Sequence, residues 1–215
     1  MYVIGITGGV GSGKSLVAKI ASKKYNAGLL IADELGHIVT EPGKPAFKKI
    51  IEMHGSGILG QDGSIDRKKL ADIIFSNDVA RDELNAIIHP EVMSYIKKYI
   101  NDRKDMEGII IVETAIMYET GCNNLCDEIW YVYVPTDIRI KRLSVSRGYS
   151  EEKSQSIIGS QKPDKFFIDR ADRVIDNSGS RKDLNAVIDT LFDSFEKDEK
   201  YGYNGTAQKC DCRVY

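Results

Sequence analysis

An apolar run, YVIGIT (residues 2–7), passes directly into the glycine-rich stretch GGVGSGKS and on into KSLVAKIASKK. The run reads as a buried parallel strand. The residues after the glycines read as a helix, with Leu16, Val17 and Ile20 expected on one face. Gly8, Gly13, Lys14 and Ser15 complete the pattern G-x-x-x-x-G-K-[ST] between the two. Glycines there let successive N–H groups turn inward as an anion nest, and the helix N-terminus adds partial positive charge. Gly8, Gly11, Ser12, Gly13, Lys14, Ser15 and Leu16 are therefore expected to hold the phosphates of a nucleotide. Lys14 can bridge the terminal phosphates as a catalytic cation, and the Ser15 hydroxyl can take Mg2+.

The remaining apolar segments fit this start. AGLLIAD, GIIIVE, EIWYVYV and DRVIDN read as four further strands, the second strand closing at Asp33. RKDLNAVIDTLFDSFEK is an amphipathic helix with Leu184, Val187, Ile188, Leu191 and Phe195 on one side. Strands alternating with helices predict an α/β fold: a three-layer P-loop NTPase-type parallel sheet covered on both faces. Between residues 38 and 103 the pattern becomes helical, and residues 137–171 read as a charged helical pair around SRGYS. The expected organisation is a core of 1–37, 104–136 and 172–196, a helical insert of 38–103, and a helical segment of 137–171. The polar, aperiodic stretch 197–215 reads as a disordered tail.

The chain of 215 residues carries a formal charge of -2, which gives no global pull toward nucleic acid or a membrane. No apolar run approaches the roughly 18 residues that a membrane span needs. The start lacks the charged and small-residue pattern of a signal peptide, so a cytoplasmic protein is expected. The four cysteines fall as Cys122/Cys126 and Cys210/Cys212, neither pair at the C-x2-C spacing of a zinc half-site. They are read as free thiols, the alternative being a metal site joining tail and loop.

A phosphate loop leaves the acceptor open. An N-K-x-D guanine-reading motif is absent from the sequence, and the chain is short for a transporter-type ATPase, so a small-molecule kinase is favoured. Ligands in such sheets gather at the carboxyl ends of strands. Asp33 and Glu113 are expected at two of those ends. Asp33 is the candidate to accept the acceptor's hydroxyl proton, its alternative role being a helix N-cap. Glu113, on the substrate side, is the candidate for holding the metal's water shell in the place of a Walker-B acid.

The segments GITGGVGSGKS, IAD, DGSIDRKKLADIIF, IIHPEV, GCNNLCDEIWYVYVP, Gln161 and ADRVIDNSGS stand in the order and spacing of the dephospho-coenzyme A kinase family, which the chain resembles from Met1 to about Phe195. The resemblance implies a P-loop core, a helical acceptor-binding domain at 38–103 and a lid at 137–171. It implies transfer of the ATP γ-phosphate to the ribose 3′-hydroxyl of dephospho-coenzyme A, the last step in making coenzyme A. Mg2+ with ATP and dephospho-coenzyme A are the implied cofactor and substrates, in a monomer or small homo-oligomer. By the same resemblance Asp33 faces the acceptor hydroxyl, and Arg67 and His89, with His37, lie on the acceptor side. Asn177 lies near the adenine end of ATP, and Arg142 serves the nucleotide as a catalytic arginine. The alternatives are a surface cap or pair for Arg67, a helix-start turn for His89-Pro90 and a solvated basic face for Arg142.

Several positions depart from the family's pattern. Ile31 and His37 replace an aspartate and an arginine, and Ala115–Glu119 replaces P-L-L-F-E. Ile157 and Ser146 occupy lid arginine positions, with Arg139, Arg142 and Arg147 still present. Two other readings follow from these changes: a kinase with a different nucleoside or nucleotide acceptor, and a nucleotide-binding regulator with little chemistry.

Overall fold

The computed structural model describes residues 1–75 and 77–196. The tail expectation, Cys210, Cys212 and the side chain of Phe195 lie outside what it describes. The chain divides into two compact units, Met1–Ile31 with the chain from Arg103 onward, and Ala32–Asp102.

The first unit opens with β1 (Tyr2–Thr7), α1 (Lys14–Tyr25) and β2 (Gly28–Ile31). The second unit holds α2 (Ala32–Val39), α3 (Pro45–His54), α4 (Arg67–Phe75) and α5 (Asp78–Asn101). The first unit resumes with β3 (Ile109–Glu113), β4 (Glu128–Tyr133), α6 (Thr136–Arg147), α7 (Glu151–Gly159) and α8 (Asp164–Ile168). It closes with β5 (Arg173–Asp176) and α9 (Arg181–Glu196).

The five strands form one sheet in the order β2-β3-β1-β4-β5, and every pairing is parallel. A parallel sheet must be covered on both faces, which is why β1 and β3 are apolar at nearly every position. On one face Ile4, Ile6, Trp130, Val132 and Ile175 meet Val17, Ala18 and Ala21 of α1 and Leu184, Ile188 and Phe192 of α9. Phe192 stacks on Tyr25 with ring centroids 3.7 Å apart and meets Trp130 edge-on at 5.5 Å. Burial of each such large side chain contributes about 2–3 kcal/mol. The expected face of α1 needs correction. Val17 is buried and Ile20 packs against the core as expected, but Leu16 is 39% exposed, and Ala18 and Ala21 complete the inward face. Two alanines let the helix approach the sheet closely, so the small residues mark the buried face and Leu16 does not.

Register sets the site. Ile6 of β1 and Ile31 of β2 both pair with Glu113, the last residue of β3. The carboxyl end of β3 therefore lies beside the start of the glycine loop. Asp33, expected to close the second strand, is instead the second residue of α2, because the extended chain ends at Ile31. Residues 137–171, expected as a helical pair, carry a third short helix, α8.

In the second unit α2, α3 and α4 each pack on α5, whose Ala80, Leu84, Val92, Ile96 and Tyr99 are buried. Asn77 caps α5 by accepting hydrogen bonds from the Val79 and Ala80 amides at 3.0 and 3.2 Å. The helix-start alternative for His89-Pro90 does not hold: Pro90 is inside α5. Its missing N–H costs a helical bond there. The segment DGSID makes a tight turn at Gly63, φ 76°, before α4. Asp66 Oδ1 then accepts from the Lys68 and Lys69 amides, which places Arg67 at the first position of α4. Among the described residues no helix is long and apolar enough to cross a membrane.

Candidate active site

The glycine loop turns through two left-handed residues, Gly11 (φ 78°) and Gly13 (φ 83°). Gly13 then opens α1, its carbonyl accepting from the Leu16 and Val17 amides at 2.9 and 3.1 Å. Among the described residues no acceptor meets the N–H of Gly11, Gly13, Lys14 or Ser15. Four converging donors at a helix N-terminus form an anion cradle. Gly8 is required for close approach: a Cβ there would lie 2.6 Å from Ser12 Oγ and 2.8 Å from the Val132 carbonyl.

Glu113 reaches into the loop from β3. Its Oε2 accepts from Ser15 Oγ at 3.0 Å, and its Oε1 lies 3.7 Å from Lys14 Nζ. Glu113 is 1% exposed, so its charge is compensated locally by Lys14 rather than by solvent. A buried carboxylate beside a helix-start hydroxyl is a hard-oxygen donor set. That chemistry fits Mg2+, which takes one or two protein oxygens, keeps its waters and binds substrate phosphates. Among the described residues no group of three or more His, Cys, Asp or Glu side chains could hold a metal on its own.

Three side chains support the loop from behind. Asn177, 5% exposed at the end of β5, donates from Nδ2 to the Ser12 carbonyl at 2.8 Å. Its own carbonyl accepts from Arg142 Nη2 at 2.8 Å. The asparagine expected toward the adenine end thus places its amide against the loop backbone. Arg139 is 4% exposed and donates from Nε to the Val10 carbonyl at 2.8 Å. Gln161 Oε1 accepts from the Val10 amide at 3.0 Å. A cavity of about 590 Å3 opens between the loop and α6, lined by Gly13, Lys14, Ser15, Lys141, Arg142 and Arg147. Its four cations suit a polyphosphate. Ile157 is half-buried in α7, and Ser146 Oγ donates to the Arg142 carbonyl at 2.6 Å.

The acceptor-side candidates sit in the second unit. Arg67 Nη1 lies 2.8 Å from His37 Nε2. A guanidinium only donates, so Nε2 is the acceptor and the histidine proton is on Nδ1. Burial and the Arg67 charge lower the His37 pKa, partly offset by Asp33 and Glu34. Burial lowers that of His89 as well. Asp33 is exposed in the first turn of α2. Cys122 and Cys126 are free thiols.

The arrangement brings together Gly8, Gly11, Ser12, Gly13, Lys14, Ser15, Glu113, Arg142 and Asn177. Sequence reasoning gave no role to Arg139 and used Gln161 only as a pattern residue. The i, i+3 spacing of Arg139 and Arg142 on α6 was the available signal, since it puts both on the face toward the loop.

A complete phosphate loop after β1 of a five-stranded parallel sheet, backed by a buried carboxylate on the neighbouring strand, defines a P-loop nucleotide-binding protein. The family described as dephospho-CoA kinase matches residues 2–183, and the chain belongs to that family. It is 38% identical over 196 residues to a dephospho-CoA kinase of Carboxydothermus hydrogenoformans, covering 90% of this chain and 94% of the relative. A dephospho-CoA kinase of Bacillus licheniformis is 37% identical over 199 residues, covering 92% and 98%. The solved dephospho-CoA kinase from Campylobacter jejuni shares the fold with TM-score 0.68 at 24% identity, covering 91% of this chain and 97% of that one.

Proposed function

We propose that the protein transfers the γ-phosphoryl group of ATP to the ribose 3′-hydroxyl of dephospho-coenzyme A, the final step of coenzyme A biosynthesis. Membership of the dephospho-CoA kinase family over residues 2–183 carries this reading. The intact cluster of Lys14, Ser15 and Glu113 supports it.

In the proposed reaction the N–H groups of Gly11, Gly13, Lys14 and Ser15 bind the phosphates. Lys14 Nζ stabilises charge developing on the oxygens between the β- and γ-phosphates. Ser15 Oγ and Glu113 would hold Mg2+, which when bound would neutralise negative charge on the phosphates of ATP. Asp33 orients the acceptor hydroxyl and takes its proton. The ribose O3′–phosphorus bond forms as the bond to the β,γ-bridging oxygen breaks, leaving ADP. Arg142, fixed to the Asn177 carbonyl, supports the nucleotide from α6. The helical insert of 38–103 holds the acceptor, with His37, Arg67 and His89 as its contacts. Residues 137–171 act as the lid, and the cytoplasm is the expected compartment.

The test is mass spectrometry of the purified protein with Mg-ATP and dephospho-coenzyme A. The proposal expects a product heavier by one phosphoryl group, formed only with both substrates. Turnover of ATP without that product would refute it.

A further inference from the structure

We infer that Arg139 and Gln161 are positioning residues that clamp the tip of the phosphate loop and so set the affinity for the nucleotide. The inference rests on the kinase reading for its substrate but concerns a step that can be read without the acceptor.

Val10 is the loop's tip, with Gly8, Gly9 and Gly11 around it. So many glycines make the loop costly to order, and its N–H groups converge on an anion only once it is ordered. Locally a turn bond closes over Val10, the Ser12 amide donating to the Gly9 carbonyl at 3.1 Å, but it uses neither polar group of Val10 itself. Two distant side chains hold those. Gln161 Oε1 accepts from the Val10 amide at 3.0 Å, and Arg139 Nε donates to the Val10 carbonyl at 2.8 Å. Both polar backbone groups of one residue are therefore held from outside the loop. The two side chains are also joined to each other, Arg139 Nη2 donating to the same Gln161 Oε1 at 2.8 Å.

The guanidinium also shapes the loop sterically. A Cβ at Gly9 would collide with Arg139 Nη2 and Cζ, so the backbone lies directly on it. The charge is 4% exposed, and its carboxylate partner, Asp164 Oδ1, stands off at 3.6 Å. Burying a guanidinium is costly unless its donors are met, and here Nε is met by the Val10 carbonyl and Nη2 by Gln161 Oε1. A buried arginine spent on a loop carbonyl is thus better explained by what it does for the loop. The accepting oxygen of Gln161 comes from the turn between α7 and α8, so loop order depends on where that segment sits.

The test compares wild type, Gln161→Leu and Gln161→Glu. Leucine removes the accepting oxygen, while glutamate keeps one for both donors. ADP affinity is measured without acceptor, KM is measured for each substrate, and Val10 amide exchange is followed by NMR. Gln161→Leu should weaken ADP binding and raise the ATP KM at least about tenfold, because the Val10 amide and an Arg139 N–H both lose their acceptor. The acceptor KM should stay within about twofold, and Gln161→Glu should recover nucleotide affinity. Wild-type nucleotide affinity in Gln161→Leu, or equal loss in both variants, would overturn the clamp. Should Gln161→Leu not fold, amide exchange decides. The Val10 amide should exchange more slowly than that of Gly11 in wild type and Gln161→Glu, and equal rates overturn the clamp. A wild type that binds ADP but never phosphorylates dephospho-coenzyme A would refute the kinase reading and leave the clamp standing.

Discussion

Replacing Gly13 by alanine should damage the site through a specific collision, and the cost can be built from its parts. Gly13 has φ 83° and ψ 22°, a left-handed conformation that costs a non-glycine residue roughly 1–2 kcal/mol. A Cβ there would lie 2.5 Å from Asn177 Nδ2. Asn177 is 5% exposed and cannot withdraw without giving up its 2.8 Å bond to the Ser12 carbonyl. Leaving that buried carbonyl unpaired adds about 1–3 kcal/mol. The total is about 2–5 kcal/mol. Gly148 provides the control in the same unit. It is also left-handed, φ 63° at the end of α6, but a Cβ there meets nothing within 4 Å. Gly148→Ala should therefore cost only the conformational part, roughly 1–2 kcal/mol. Urea unfolding of both variants reads the difference. With a slope near 2 kcal/mol/M, Gly13→Ala should unfold about 1 M below Gly148→Ala. Coincident midpoints would refute the claim that Asn177 braces the loop against Gly13.

Other outcomes follow from the same geometry. Lys14→Ala should lower kcat/KM for ATP by about 10²–10³-fold in steady-state assays, the loss expected when a donor to developing charge is removed. Asp33→Asn should leave ADP affinity unchanged in a binding titration while lowering kcat about 10²–10⁴-fold, as for loss of a general base. The neutral His37 ring accepts from Arg67, and its pKa is lowered by burial and by Arg67. A lowered histidine pKa means that the unfolded chain binds more protons below the ordinary value near 6.5. The stability from neutral His37 is therefore complete above that value and is lost as pH falls from it through the lower folded pKa. Thermal unfolding of wild type should thus fall more steeply with acidification than that of His37→Gln, and parallel curves would contradict this.

The core was legible because its signals are local. The apolar runs that become β1, β3 and β4 read as buried strands wherever they sit, and the loop pattern fixes its own strand and helix. Boundaries were less legible. Asp33 looks like the end of a strand because Ala32-Asp33 continues an apolar run, yet the pairing with β3 stops at Ile31 and the helix starts at once. Pro90 looks like a helix start because proline favours that position, but packing along α5 keeps the helix continuous through it. Hydrophobicity puts Leu16 on one face with Val17 and Ile20, whereas close helix–sheet contact selects Ala18 and Ala21 beside Val17. The loop's supports were least visible. Arg139 lies 129 residues from its partner Val10, and its i, i+3 spacing with Arg142 says that the two share a face of α6 but not what that face meets. Side-chain braces over such separations are properties of the folded chain.

The central claim is the identity of the acceptor atom. Phosphorus NMR of the product formed from ATP and dephospho-coenzyme A reads it directly. One new phosphomonoester resonance coupled to the ribose H3′, absent without protein, is expected. A phosphate on another hydroxyl, or ADP formed with no new phosphomonoester, would contradict it.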